Sequence, residues 1–328
     1  MSSRMLRTTA AAFALLALAT PFAAARQIRI NVTNFDFTPR YASMSQGDHA
    51  VWIWDTTPHT VTQGDTANVP VTPTPGTAKF NSGDAAISGN SGPTSAAYSW
   101  KANATGLIEY YCIPHWPAMV GGLDVVASGA QGLSDFRITE VQYNVAGNAD
   151  LIEITNLGAT GDLGMYRLKV SGAGAATGNL LRNGSSRTLP VAAGAKFIVH
   201  LNASGINDAN NLYLSGITGL PDAAGSVALY VPNSVNTSLA LSSMLIDFVS
   251  WGSGGQENEA TAVSASLWST STAVPLVNPG SSIEFCGQGG QYGAARWYEN
   301  PTPNFGGSDN CLTPVTPTTW GRIKVLFR

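Results

Sequence analysis

Cys112, His115 and Met119 fall within eight residues, in Tyr110-Tyr111-Cys112-Ile113-Pro114-His115-Trp116-Pro117-Ala118-Met119-Val120-Gly121, and no other feature of the chain constrains its fold as tightly. Runs 107–111 and 122–126 on either side are rich in apolar, aromatic and β-branched residues and read as strands. The three side chains therefore hang from one tight loop between two strands. No amphipathic helix period appears before residue 127. The alternating run 27–32 and the β-branched and aromatic run 50–54 supply further strands, and the Pro/Gly/Thr-rich stretch 66–77 reads as irregular loop.

Soft thiolate and thioether donors favour copper, and two imidazoles with one thiolate and a weak axial thioether make a blue-copper site. Zinc would ask for more Cys and His in a closed tetrahedral set and gains nothing from a thioether. The second imidazole must come from elsewhere. His59, in Thr57-Pro58-His59-Thr60-Val61-Thr62, follows the 50–54 strand, whose end and the Cys112 loop can share one pole of an antiparallel sandwich. Of the remaining histidines, His49 is expected exposed at the start of a strand, and His200 solvent-facing or at the core edge.

The Cys112 segment resembles the copper loop of the plastocyanin, pseudoazurin and amicyanin group of cupredoxins. The likeness includes the Tyr-Tyr before the cysteine, the Cys-x-x-His step and the Val-Gly-Gly-Leu-Asp-Val-Val run after the methionine. Pro58-His59-Thr60-Val61-Thr62 and Phe80-Asn81-Ser82-Gly83 extend it over residues 27–127. The resemblance implies a Greek-key sandwich with one type 1 copper ion, His59, Cys112 and His115 as strong ligands and Met119 as the axial one. Three residues separate His115 from Met119, against four in plastocyanin-like and two in amicyanin-like loops. Pro114, Trp116 and Pro117 surround His115 with apolar surface, which either packs the loop or docks a redox partner.

Residues 1–25 read as a secretory signal peptide, with Arg4 and Arg7, a short apolar run and Ala23-Ala24-Ala25. Its removal leaves 15 basic against 20 acidic residues, so nucleic acid is not an expected partner. Nothing later reaches the ~20 apolar residues of a membrane helix. Export to the periplasm, cell surface or medium is expected. There the three cysteines divide into a Cys286–Cys311 disulfide and a single thiol, Cys112, that is more useful as a metal ligand than idle.

Residues 128–132 read as a linker to a second β unit, 133–311. Alternating strands at 136–141 and 150–155, with others near 196–200, 226–231 and 245–251, argue for a second sandwich. Ile138-Thr139-Glu140-Val141, Asp150-Leu151-Ile152-Glu153-Ile154-Thr155-Asn156, 245–252, Ser281-Ser282-Ile283-Glu284 and 301–306 resemble the lamin-tail domain, which implies an immunoglobulin-like fold. Glu140, Glu153 and Asp247 are expected to be solvated or turn-bonding. Residues 312–328 are a Thr/Pro linker and a basic tail, either an edge strand or a sorting element. The chain is thus expected to be all-β, not an enzyme, and a single-electron carrier with an appended anchoring or partner-binding sandwich. The alternative is a structural or adhesive surface protein in which copper is stored or incidental.

Overall fold

The computed structural model describes residues 26–56, 58–64, 80, 82, 97–172, 178–184, 186–232, 238–287, 290–309 and 311. The expected signal peptide, the 66–77 loop and the 312–328 tail lie outside them. The described chain is nearly all β.

In the first half β1 (Gln27–Thr33), β2 (Asp36–Thr38), β4 (His49–Trp54) and β6 (Ala97–Lys101) form one sheet in the order β2-β1-β4-β6. The other sheet is built from β3 (Tyr41–Ser45), β5 (Thr62–Gln63), β7 (Gly106–Tyr111) and β8 (Val120–Val126), in the order β3-β8-β7-β5. β1 runs parallel to β4 and β3 parallel to β8, while β7 and β8 are antiparallel. The pleat sends Ile30, Val32, Trp52 and Trp54 of the first sheet onto Met44, Ile108, Tyr110 and Leu123 of the second. Cys112 and Met119 belong to this same core, so both ends of the loop between β7 and β8 are rooted in it.

In the second half β9 (Phe136–Gln142), β10 (Leu151–Asn156), β15 (Lys196–Leu201), β16 (Asn211–Leu214), β19 (Ser282–Phe285) and β20 (Trp297–Asn300) make a six-stranded sheet, ordered β16-β15-β10-β9-β19-β20. Facing it, β12 (Arg167–Val170), β13 (Asn179–Leu180), β17 (Gly225–Tyr230) and β18 (Leu245–Trp251) form a four-stranded sheet in the order β13-β12-β17-β18. β11 (Gly161–Asp162) pairs with β14 (Pro190–Val191), and a short helix α1 spans Glu259–Ser264. Cys286 and Cys311 are disulfide-bonded, as the cysteine count implies.

The three acidic residues of this half are not solvated. Glu140, Glu153 and Asp247 are all buried, because both faces of their strands are covered. Each instead meets polar partners from neighbouring strands or loops. Glu153 lies 2.9 Å from Lys196 Nζ and accepts from Thr139 Oγ1 and the Gly306 N–H. Glu140 accepts from Ser282 Oγ and Asn300 Nδ2. Thr139 is an extra residue in β9, since Glu140 pairs with Glu153 and Ile138 with Ile154. The bulge releases the Ile138 N–H, which donates to Asp247 Oδ2 at 2.7 Å. Arg137 Nε lies 3.1 Å from the same oxygen, joining the two sheets through a fully buried ion pair.

The outer face of the first sheet is not open to water either. Alternation puts His49, Val51 and Ile53 of β4 opposite Lys101, Ser99 and Ala97 of β6 on that face, and Val51, Ile53 and Ala97 join the core of the second half. Polar contacts continue the seam, with Ser99 Oγ donating to Pro232 O at 2.6 Å and an isolated bridge between Gln27 and Ser134. The 128–132 stretch is tied down within it. Ala130 N donates to Ser45 Oγ, and Ala130 O accepts from Arg26 Nη1.

His49 is therefore buried rather than exposed, with Nε2 2.7 Å from Ser243 O. Desolvation, then the charge of Lys101, push its pKa from 6.5 down to about 3. The unfolded chain protonates this ring first, so its contribution to stability is complete above about pH 6.5 and is lost as pH falls toward 3. Glu140, Asp135 and Asp150, each raised to about 6 chiefly by burial, act oppositely between about pH 6 and 4. Comparison with His49→Gln cancels them. The wild-type advantage over that variant in urea unfolding is expected to shrink by up to about 1.4 kcal/mol per pH unit below 6.5. An advantage that stays constant from pH 7 to 4 would refute a neutral buried ring.

Candidate metal centre

Three of the four predicted site residues converge at one pole of the first sandwich. His59 Nδ1 lies 3.0 Å from His115 Nδ1, and Cys112 Sγ lies 3.7 Å from the first and 3.3 Å from the second. Their donor atoms form a compact group within 4.8 Å of one another. Met119 is fully buried in the core that also holds Cys112. Its backbone closes the loop, since Cys112 N donates to Met119 O and Met119 N to His115 O, both at 3.0 Å.

Local sequence explains the convergence. β7 ends at Tyr111 opposite Val120 of β8, so eight residues must turn the chain through a hairpin end. Pro114 and Pro117 stiffen the turn, and a single 3₁₀ turn, Ile113–His115, brings His115 back toward Cys112. On the other side, His59 follows β4, and the Trp54 indole donates to His59 O at 2.8 Å. Thr60 then stitches the two segments together. Its N–H donates to Cys112 Sγ at 3.3 Å, and its Oγ1 accepts from Ile113 N at 2.8 Å.

Thr60 and Phe35 are contributors that the sequence reading missed. Thr60 stands next to His59 and had only that adjacency to mark it. Phe35 sits in the two-residue turn between β1 and β2 at φ +59°, where a side chain is strained, and is 53% exposed. Its ring meets His115 edge-on at 4.7 Å and His59 at 6.1 Å. No run of hydrophobic periodicity flags an aromatic held there.

The donor set fits copper. Three donors about 2 Å from one ion in a trigonal plane stand roughly 3.5 Å apart, close to the separations above. Burial, then the neighbouring His115, pull His59 from 6.5 to about 4, leaving a neutral imidazole with a lone pair to give. Burial raises the Cys112 thiol, partly offset by the Thr60 N–H. A cation among the donors supplies the missing counter-charge for a thiolate. A second cluster, Glu284 with Cys286 and Cys311, offers no thiolate because its sulfurs are bonded to each other. His200 stacks on Tyr213 at 4.2 Å, away from the metal pole, as a half-buried strand residue.

No protein-family model and no curated protein matches the chain, so the lamin-tail resemblance of the second half stands on its sequence pieces. Among solved structures the chain is similar to a mutant fern plastocyanin, at 23% identity and TM-score 0.21, covering 30% of this chain and 99% of that one. It is similar to a mutant amicyanin in its oxidised form at 20% identity and TM-score 0.21, covering 30% and 81%. A purple cupredoxin from Nitrosopumilus maritimus gives 19% identity and TM-score 0.22, covering 30% and 97%. At these values the likeness carries no chemistry, which the donor set must supply for itself. None of the described helices is long and apolar enough to cross a membrane.

Proposed function

We propose that this chain is an exported type 1 copper protein that carries single electrons, holding one copper through His59, Cys112 and His115 with Met119 as axial ligand. The observation that supports it most is the approach of two imidazole Nδ1 atoms and one buried sulfur to within 3.0–3.7 Å, from segments 53 residues apart in the chain. Copper bound there would supply a one-electron couple between its +1 and +2 states. The chain's own residues restrict how far the donors can move. Thr60 ties the His59 segment to the Cys112 loop, and Met119 closes that loop, so bound copper would meet nearly the same arrangement of donors in either oxidation state.

The exit for the electron is His115, the half-buried ligand of the set. Exposed Phe35 and Ile113 flank it, with Pro114 and Pro117 alongside. This apolar rim suits brief docking of a redox partner protein. The Cys286–Cys311 disulfide supports export, since such bonds persist in oxidising compartments. The second sandwich would then attach the carrier to a surface or partner.

Titration of the purified chain with copper(II) tests the reading. One equivalent should bind and give an intense visible absorption band that bleaches on reduction and returns on reoxidation. A colourless protein rejects the proposal and leaves the structural or adhesive alternative.

A further inference from the structure

We propose that Arg187, in the second half, is a positioning residue for the metal pole of the first. By holding Asp55 it fixes the root of the segment that carries His59. This rests on the reading of His59 as a metal ligand. Arg187 Nη2 donates to Asp55 Oδ1 at 2.6 Å. Asp55 directly follows β4 and precedes His59 by four residues, and its N–H donates to Val32 O at 2.8 Å. The Trp54 indole, from the residue just before, holds the other end of the same turn at His59 O.

The contact is reciprocal. Arg29 of β1 reaches into the second half, 3.0 Å from Asp162 Oδ1 and 3.4 Å from Arg187 O. Gly164 lets the 187 segment close up against it, because a Cβ there would meet Arg187 O at 2.0 Å. Asp162 Oδ1 also accepts from the Gly164 and Leu189 N–H groups, which frame the 187 segment. Arg187 is thus itself held in place and mostly buried, while the Asp55 carboxylate that it holds stays partly exposed. The clamp lies at the end of β4 nearest the metal pole. His49 and Ser243 meet at the opposite end.

An appended sandwich tethered only for anchoring has no need to grip the root of a ligand segment. Preorganised sites need support of this kind, because a ligand whose backbone wanders loses the fixed geometry on which fast electron exchange depends. The second half therefore completes the site without contributing a ligand.

The test compares Arg187→Ala, Arg187→Lys and Ser99→Ala in the full chain. Ser99→Ala breaks another contact between the halves, at Pro232 and away from the metal pole, and serves as the control. With Cys286 and Cys311 paired, iodoacetamide reads Cys112 alone in the metal-free chain. Alkylation should quicken roughly threefold or more in Arg187→Ala, return most of the way to wild type in Arg187→Lys, and stay unchanged in Ser99→Ala. In the copper-loaded chain, the visible band should shift for Arg187→Ala only. If Arg187→Ala behaves like Ser99→Ala in alkylation, or Lys restores nothing, the positioning role is wrong. A wild type that never colours with copper overturns the carrier reading instead, while the alkylation comparison still judges the clamp.

Discussion

Cys112→Ser should abolish the intense visible band and weaken copper(II) binding by more than about 100-fold, with little change in fold. The side chain is fully buried and accepts the Thr60 N–H. A hydroxyl fits that space and keeps the hydrogen bond, so circular dichroism and thermal unfolding should barely move. The electronic loss is large, because a neutral hydroxyl is a hard, weak donor and the band originates in the thiolate–copper bond. Loss of even an outer partner of a metal ligand commonly costs 10–100-fold in affinity. Removing the anionic ligand must cost more. Met119→Leu should behave differently, retaining colour while changing the reduction potential, since a thioether in the proposed axial position would be a weak ligand. If Cys112→Ser binds copper as tightly as wild type, the metal is held elsewhere.

The second large effect lies far from the metal. Asp247→Ala should destabilise the chain by about 3–5 kcal/mol, because it strands the Arg137 guanidinium in the core of the second sandwich. Arg137 is wedged between the rings of Tyr292 at 4.1 Å and Phe285 at 5.2 Å, and its Nη2 donates to Gln291 O. Its Nη1 has no hydrogen-bond partner among the described residues, and its Nε approaches Asp247 without good alignment. Charge attraction and the rings are what compensate its burial. The Ile138 and Phe248 N–H groups would lose their acceptors as well. An apolar pair, Arg137→Met with Asp247→Leu, should recover part of the loss. Urea unfolding followed by fluorescence gives the values, and a cost below about 1 kcal/mol for Asp247→Ala would show that the pair is dispensable.

The donor cluster was legible in the sequence because most of its members are local. Cys112, His115 and Met119 share one hairpin end, and His59 was the one donor placed just after a strand. The strands were legible for the same reason, as at 27–32 and 50–54. What stayed hidden depends on which faces are covered. His49 sits beside a Gly-Asp turn and has every local mark of an exposed residue, yet a second sandwich lies over it. Glu140, Glu153 and Asp247 alternate with apolar neighbours as surface residues do. Their partners, Lys196, Ser282 and Arg137, come from other strands that no single-strand pattern reveals. Phe35 occupies a backbone conformation that favours glycine, so turn chemistry would have placed a different residue there.

All six side chains of β4 are buried, and alternate ones serve opposite sides of the molecule. Trp52 and Trp54 fill the compartment that also holds Cys112 and Met119, while Val51 and Ile53 fill the neighbouring one. A gene cut near residue 132 would therefore release a fragment with a greasy flank where its partner had been. These two units are not interchangeable beads on a string, and an ancestor that lost one would have had to re-surface the other.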